Sequence, residues 1–506
     1  MKAPCSLCSA QGRTDCPALG GQICGSCCGA GRNKTINCTA DCQFNPFGVN
    51  NYDSWLRIDK ALTGKKSAYL KKYYSDYEIS QIALTMMPTE GDRSFHTISI
   101  ATTAAVYYLF FAKEFRDGKT VAQLWRDEGW VGLNSDEAAM MNYRMNSSPA
   151  LVEVQKVLDS QSLECTDILN PERGIFVMYD RTLARNTKRF TRLWLWISDY
   201  PFFSRPAGDP VDVPGDIYEA ISNKVLFYKA EELKNGNERG ALIEALGKRF
   251  GEIYSSVYEE ARKEKERSLR AMDCHICRGF YAFKTHGGHV KEILDTKPDF
   301  VYNGDKHDDA LWPSLVYYWL CLGESSEFRK DFRSGLNYFN GQENIPVIGT
   351  VFLGEKELMI QALSKRNFEY IKKKIDLDWD WSNLLEFRRE SIVDLAQQLA
   401  DRVAKGKKVV SNNQSMAKEC ERFSHETIEM IKTEQFRGHY ERFLELPVPA
   451  LDGMTPMQAA KSDTMRPQLI ELMKYHIHHV ETRNRKDKIS IDISWVLEKL
   501  ELSELM

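Results

Sequence analysis

Apolar positions recur at helical spacing from Tyr52 to Tyr77, and the same pattern predicts a helical region over 52–160. The rhythm then changes. LECTDIL, the turn Asn170–Pro171–Glu172–Arg173–Gly174 and IFVMYD read as strand, turn and strand. RLWLWI follows, and the Pro/Gly-rich DYPFFSRPAGDPVDVP behind it fits short strands and loops. Together they predict a small barrel-like sheet over 161–215. A mainly helical region is expected over 216–344, where IYSSVYEEARKEKERSLRAM carries the (i, i+4) charge pairs of an exposed helix. Over 345–376, IPVIGTVFL and LMIQALS flank the turn Gly354–Glu355–Lys356–Glu357 and precede the amphipathic RNFEYIKKKI. This is a ββα unit that needs a partner sheet to bury its face. The pattern is helical again over 377–506. Between two of those helices lies ELPVPALDGMTPMQAA, in which Thr455 caps a helix, Pro456 opens it and Gln458 completes a capping box. The expected fold is α+β, multidomain and mostly helical.

A chain of 506 residues is too long for one core. Apolar content of 43% and charged content of 27% are ordinary for soluble globular protein. A net charge of −3 gives no whole-chain attraction to nucleic acid or anionic membrane. The opening MKAPCSLC has no apolar leader. The longest uncharged run, Ser94 to Ala112, approaches a membrane span in length but carries His96 and several hydroxyls. A buried core helix is expected there, and no membrane partner. The expected compartment is the cytoplasm, where clustered thiols bind metal in preference to forming disulfides.

Cysteine usage changes the picture most. Eight of thirteen cysteines fall within the first 42 residues: Cys5, Cys8, Cys16, Cys24, Cys27, Cys28, Cys38 and Cys42. Two C-x2-C pairs and one C-x3-C pair match the knuckles of zinc ribbons and cross-braced fingers. Residues 1–48 are therefore expected to form a zinc module, stabilised by metal because it has few large apolar side chains. Gly12, Gly20, Gly21, Gly25, Gly29 and Gly31 are expected to supply positive-φ turns. The favoured division places one zinc on Cys5, Cys8, Cys24 and Cys27 and a second on Cys16, Cys28, Cys38 and Cys42. One zinc with spare thiols, an iron–sulfur cluster and a redox pair are the alternatives. The stretch after Cys42, FNPFGVNN, reads as a linker.

Weaker candidates lie further on. Cys274, Cys277, His286 and His289 have zinc-ligand chemistry but unusual spacing, and buried cysteines are the plainer reading. Asp305 and His307, with Asp308 and Asp309, could bind a divalent metal, but a turn explains them too. His476 and His479 share a helix face and read as surface polarity rather than a metal pair. Lys65, Lys66, Lys71 and Lys72 alternate with tyrosines, in a region 1–80 that holds ten Lys/Arg against six Asp/Glu. Arg181, Arg185, Lys188, Arg189 and Arg192 precede Trp194, Trp196, Phe202 and Phe203. Both stretches have the ingredients of nucleic-acid binding; solvated charges over packed aromatics are the competing explanation. The sequence holds no G-x-x-x-x-G-K-[ST], no G-x-G-x-x-G after a strand, no H-E-x-x-H and no G-x-S-x-G.

The stretch from His439, HYERFLELPVPALDGMTPMQAA, resembles a segment of uncharacterised bacterial proteins in which Tyr-x-x-Trp-Leu precedes Pro-Ala-Leu-x-Gly-x-Thr-Pro-x-x-Ala. Here Phe443 replaces the Trp and Asp452 a usual Gly. IGTVFLGEKELMIQALSKRNFEYI and LECTDILNPERGIFVMYDRT look like units of the same proteins. Several of those carry the SEC-C metal-binding motif. This chain lacks it and resembles the variants with an N-terminal ICxxCCGxxR…CxxxC finger, matched by Ile23 to Arg32 and Cys38 to Cys42. The resemblance implies a bacterial cytosolic zinc protein and no established activity. The Pro-Ala-Leu string is also similar to the toxin-binding domain of Xre/MbcA/ParS antitoxins.

The expectation is a zinc-stabilised binding protein that engages nucleic acid, RNA foremost, or a protein partner. A protein adaptor or toxin-neutralising partner using loop 446–460 is the second reading. A metal-dependent enzyme with His286, His289, His307 and Asp305 as candidate ligands is the third.

Overall fold

Alternation along RLWLWI sets the centre of the first part of the molecule. Leu193, Leu195 and Ile197 point to one side of strand Arg192–Asp199, and Trp194 and Trp196 to the other. The leucine side fills a barrel with Val152, Val154, Leu163, Cys165 and Met178. The tryptophan side packs against helices, Trp194 on Phe250 and Trp196 on Tyr107. Five strands close the barrel in the order Arg192–Asp199, Ser148–Val157, Ser162–Asp167, Phe176–Tyr179 and Ser204–Pro206, the last pairing back onto the first. Val211–Val213 extends its rim.

The computed structural model describes residues 3–89, 94–234, 239–271, 274–306, 314–330, 337–339, 344–404 and 425–506. Contacts group the chain into two compact units, Met1–Ala261 with Asn412–Met506, and Arg262–Ser411. The fold is α+β, with more helix than strand.

The barrel begins earlier than the sequence pattern indicated. Ser148–Val157 is a strand, not the end of a helical region reaching 160. Leu151 faces the helical core and Val152 the barrel, so both sides are apolar and no alternation marks the strand. Helix Phe95–Tyr107 and the π turn Tyr108–Ala112 bury Ile100, Ala104, Leu109 and Phe110 in the main core. Among the described residues this is the one segment long and apolar enough to cross a membrane, and 61% of it is buried within the protein. It is a core helix, as its hydroxyls indicated.

Helices His425–Glu445 and Arg466–Asp487 build a smaller core on Leu444, Leu469, Met473, Ile477 and Val480. Phe190 enters that core from the barrel, on a backbone held at φ 61. A left-handed φ is costly for a phenylalanine and persists because the ring is buried. Ion pairs fasten the same junction: Arg189 to Glu481 at 2.9 Å, Lys474 to Glu153 at 2.7 Å, and Arg192 to both Glu153 and Glu471.

The second unit is built on an antiparallel sheet in the order Phe300–Lys306, Ser314–Leu320, Asn344–Leu353, Glu357–Ala362, His275–Phe283 and Leu385–Asp394, with Asn337–Phe339 also paired to Asn344–Leu353. Helix Lys365–Leu377 covers it with Phe368, Ile371 and Ile375, and helix Gly287–Thr296 adds Val290 and Leu294. Two expected boundaries change. The 216–344 region has more helix than strand among its described residues, but it also holds four of these strands, rich in Val, Tyr, Phe and Trp. The 377–506 region is not helical throughout, because Leu385–Asp394 is an exposed, charged edge strand lacking the usual apolar alternation.

Candidate metal centre

The N-terminal module has almost no apolar core. Its buried cluster contains two aliphatic side chains, Ile23 and Ile36; the other members are Cys5, Cys16, Cys24 and Cys38. Hairpin strands Thr14–Cys16 and Gly21–Ile23 turn through Gly20 at φ 63, and helix Gly25–Gly31 follows. Gly20 is the one glycine of this module with the positive φ expected of six. Gly12 serves close approach instead, since a Cβ there would stand 2.4 Å from that of Gln22.

Cys5, Cys8, Cys24 and Cys27 converge, with all four sulfurs within 4.8 Å of one another. The Cys8 and Cys24 sulfurs are 3.8 Å apart. Zinc bonded to thiolates at about 2.3 Å in a tetrahedron requires a sulfur separation of about 3.8 Å, so the donor set fits zinc. Local structure prepares the charge. The Cys24 amide donates to Cys5 Sγ at 3.3 Å, and the Cys27 amide to Cys24 Sγ at 3.4 Å as that sulfur caps the helix. Amides of Cys24, Leu7 and Cys8 hold the Cys5 thiol down at about 6. Hydrogen bonding to the Cys8 and Cys24 sulfurs and burial push Cys27 up to about 12. The amides favour the Cys5 thiolate, and the neighbouring sulfurs disfavour that of Cys27. A bound zinc ion would supply positive charge for all four thiolates to share, closing the site with protein ligands alone.

The other four cysteines are also neighbours. Burial raises the Cys28 and Cys38 thiols, and Cys42 and Cys16 act on both electrostatically. Among the described residues only the first set has all its ligand atoms within 4.8 Å.

The module is clamped to the body by residues the sequence did not single out. Arg32 forks onto Asp136, Nε to Oδ1 at 3.0 Å and Nη2 to Oδ2 at 2.5 Å. The expected linker FNPFGVNN is a packed joint. Asn45 is fully buried, accepting from Asn33 and the Phe47 amide and donating to the Thr39 carbonyl. Phe47 stacks on Tyr200 at 5.8 Å.

The remaining candidates do not assemble. Cys274 and Cys277 sit at the start of strand His275–Phe283, whereas His286 and His289 lie beyond its other end. Six strand residues, 278–283, lie between Cys277 and the far end, a span of about 20 Å, too far for one ion. His286 caps its helix, its Nδ1 accepting from the Gly288 amide. His307, Asp308 and Asp309 lie outside the described residues, as does the side chain of Asp305.

The two basic–aromatic stretches make many of their contacts within the fold. Lys65 holds both carboxylate oxygens of Glu137, Lys71 pairs with Asp76 and Lys72 lies over the Tyr69 ring. Tyr69 and Tyr74 are buried, while Tyr77 is exposed. Arg181 pairs with Asp53 and Arg189 with Glu481. Burial, with Arg485 nearby, lowers Lys188, and Arg485 also grips the Arg185 carbonyl. Arg192 is only 3% exposed, and Trp194 and Trp196 are core. Lys65, Lys71, Arg181, Arg189 and Arg192 thus meet carboxylates of their own chain, while the Arg185 side chain is exposed.

Lys66 is a correction with a measurable consequence. It is 8% exposed, and burial followed by the Arg144 charge lowers its pKa to about 7. Between that value and the ordinary lysine value, the unfolded chain binds more protons, so stability rises with pH across this window. The destabilisation is complete below about 7 and is lost above it. Lys66→Met is expected to add about 2–4 kcal/mol at neutral pH and to flatten the pH dependence of the urea midpoint between neutral and alkaline pH. An unchanged slope would show that Lys66 is solvated.

No protein-family model, curated protein or solved structure matches this chain.

Proposed function

We propose that the chain is a zinc-stabilised binding protein whose N-terminal module carries two structural zinc ions, one per cysteine set. The observation that carries this reading is the convergence of Cys5, Cys8, Cys24 and Cys27. Four thiolates fill a tetrahedral ion and leave no position for substrate, so such a centre shapes a surface rather than performing chemistry. The proposed partner is nucleic acid, RNA foremost. The eight N-terminal cysteines form no disulfide, which supports a reducing, cytoplasmic setting.

Loop 446–460 has the capping box anticipated for Thr455 and Gln458. Leu451, Pro456 and Ala459 are buried in its own core, however, which supports a corner between helices more than a recognition loop.

Elemental analysis tests the proposal. The purified chain is expected to hold two zinc ions, Cys38→Ser one, and Cys24→Ser, which unfolds the module, none. A metal-free yet ordered wild-type module would overturn it. Zinc retained after removal of all eight N-terminal cysteines would place metal elsewhere and favour the enzyme reading.

A further inference from the structure

Helices His425–Glu445 and Arg466–Asp487 enclose an open cavity of about 390 Å³, lined by Phe436, Tyr440, Tyr475, His476, His479 and Arg483, with His439 at its edge. Among the described residues that line it there is no carboxylate. Tyr475 is 45% exposed. Its ring is nearly parallel to that of His479, at 18° and with centroids 6.4 Å apart. That spacing is close to twice the rise of about 3.4 Å between stacked bases. The Arg483 guanidinium lies 5.2 Å from the Phe436 centroid and reaches Asp487 at 3.4 Å, which orients it at the rim.

The back wall is fixed. The Tyr440 hydroxyl and His476 Nδ1 are 3.0 Å apart, and the Phe443 ring lies 4.9 Å from the His476 ring. Burial, together with the nearby His439 and His479, lowers His476 to about 4, so its ring is neutral at neutral pH.

A small cation is poorly served here, because Arg483 repels it and the described lining offers no carboxylate to receive it. A metal is poorly served because these three histidines do not gather their nitrogens as the four cysteines gather their sulfurs. Flat rings open to solvent, a lining without a carboxylate and a guanidinium at the rim, steadied by Asp487 from outside the lining, suit a planar base with an attached phosphate.

We propose that this pocket binds single-stranded nucleic acid, one base resting on Tyr475 and His479 with its phosphate at Arg483. The inference rests on the nucleic-acid reading above and gives it a location apart from the two basic–aromatic stretches.

Fluorescence anisotropy of a short fluorescein-labelled oligouridylate with the full chain tests it. Binding is expected at low salt and weakens steeply as salt rises. Tyr475→Ala and His479→Ala are each expected to weaken it about tenfold, and Tyr475→Phe to preserve it, because the ring face and not the hydroxyl does the holding. Arg483→Gln should weaken binding and reduce the salt slope by about one. Tyr475 and His479 are exposed, so the alanine variants should melt as wild type does. Equal affinity for a duplex would overturn the pocket. So would undiminished binding by the Tyr475→Ala, His479→Ala double variant, although RNA binding elsewhere would then stand. A zinc-loaded wild type that binds no oligonucleotide would overturn both the pocket and the nucleic-acid reading, leaving the metal assignment intact.

Discussion

Cys24→Ser is expected to unfold the N-terminal module and leave the rest of its unit folded. Cys24 occupies three roles at once: its sulfur is one of the four converging donors and caps helix Gly25–Gly31, and its amide supports Cys5. Nothing else in the module compensates. Burying Ile23 and Ile36 contributes about 1.5–3 kcal/mol each. The entropy lost on ordering the module's backbone exceeds what those two side chains return, so bonds to structural zinc are left to hold it. The barrel and helical core contain none of these cysteines. Hydrogen-exchange mass spectrometry should therefore show protection lost across Thr14–Gly31 and retained across Ser148–Val157 and Arg192–Asp199. Chelation of the wild type should reproduce the pattern. Protection retained across the module in a metal-free sample would sink the proposal.

Arg192→Leu is expected to lower the stability of the first unit by about 3–5 kcal/mol, the range for removing one partner of a buried ion pair. Its guanidinium donates to Glu153 at 2.7 Å and to Glu471, and stacks on Tyr218 at 3.7 Å. Arg192 and Lys474 hold the Glu153 carboxylate charged against the burial that opposes it. Without Arg192 that charge keeps one cation instead of two in a nearly dry site. Urea unfolding at constant m reads the effect. Adding Glu153→Gln should recover part of the loss, giving a coupling energy that the single changes do not. A loss below about 1 kcal/mol would show that solvent replaces the pair.

Local chemistry was legible in the sequence where it decides structure locally. Cys5-x2-Cys8 and Cys24-x2-Cys27 announce knuckles because two residues fix the geometry of each pair, and the convergent set is the one that spacing favoured. Thr455 and Gln458 announce a helix start for the same reason. Strand Arg192–Asp199 was visible, but its charge was not interpretable. Arg192 resembles a surface cation until Glu471, 279 residues away, is seen to meet it. Strand Ser148–Val157 hid behind burial on both faces, and Leu385–Asp394 behind exposure, since neither shows the alternation by which strands are recognised. Of the pocket, His476 and His479 were noted as one helix face. Phe436 and His439 come from a second helix, and only packing makes them neighbours of the first.

The junction between barrel and C-terminal helices also constrains how the molecule is born. A ribosome adding about 5–20 residues per second exposes Arg192 roughly 15–60 s before Glu471 exists to receive it. During that delay the nascent barrel carries a guanidinium lacking one carboxylate and a Phe190 with no helical core to enter. The second unit, encoded between the two halves of the first, is synthesised in full before its host can close. Premature release or a stalled translation complex would leave the host open at that seam, the surface on which a chaperone would have to act.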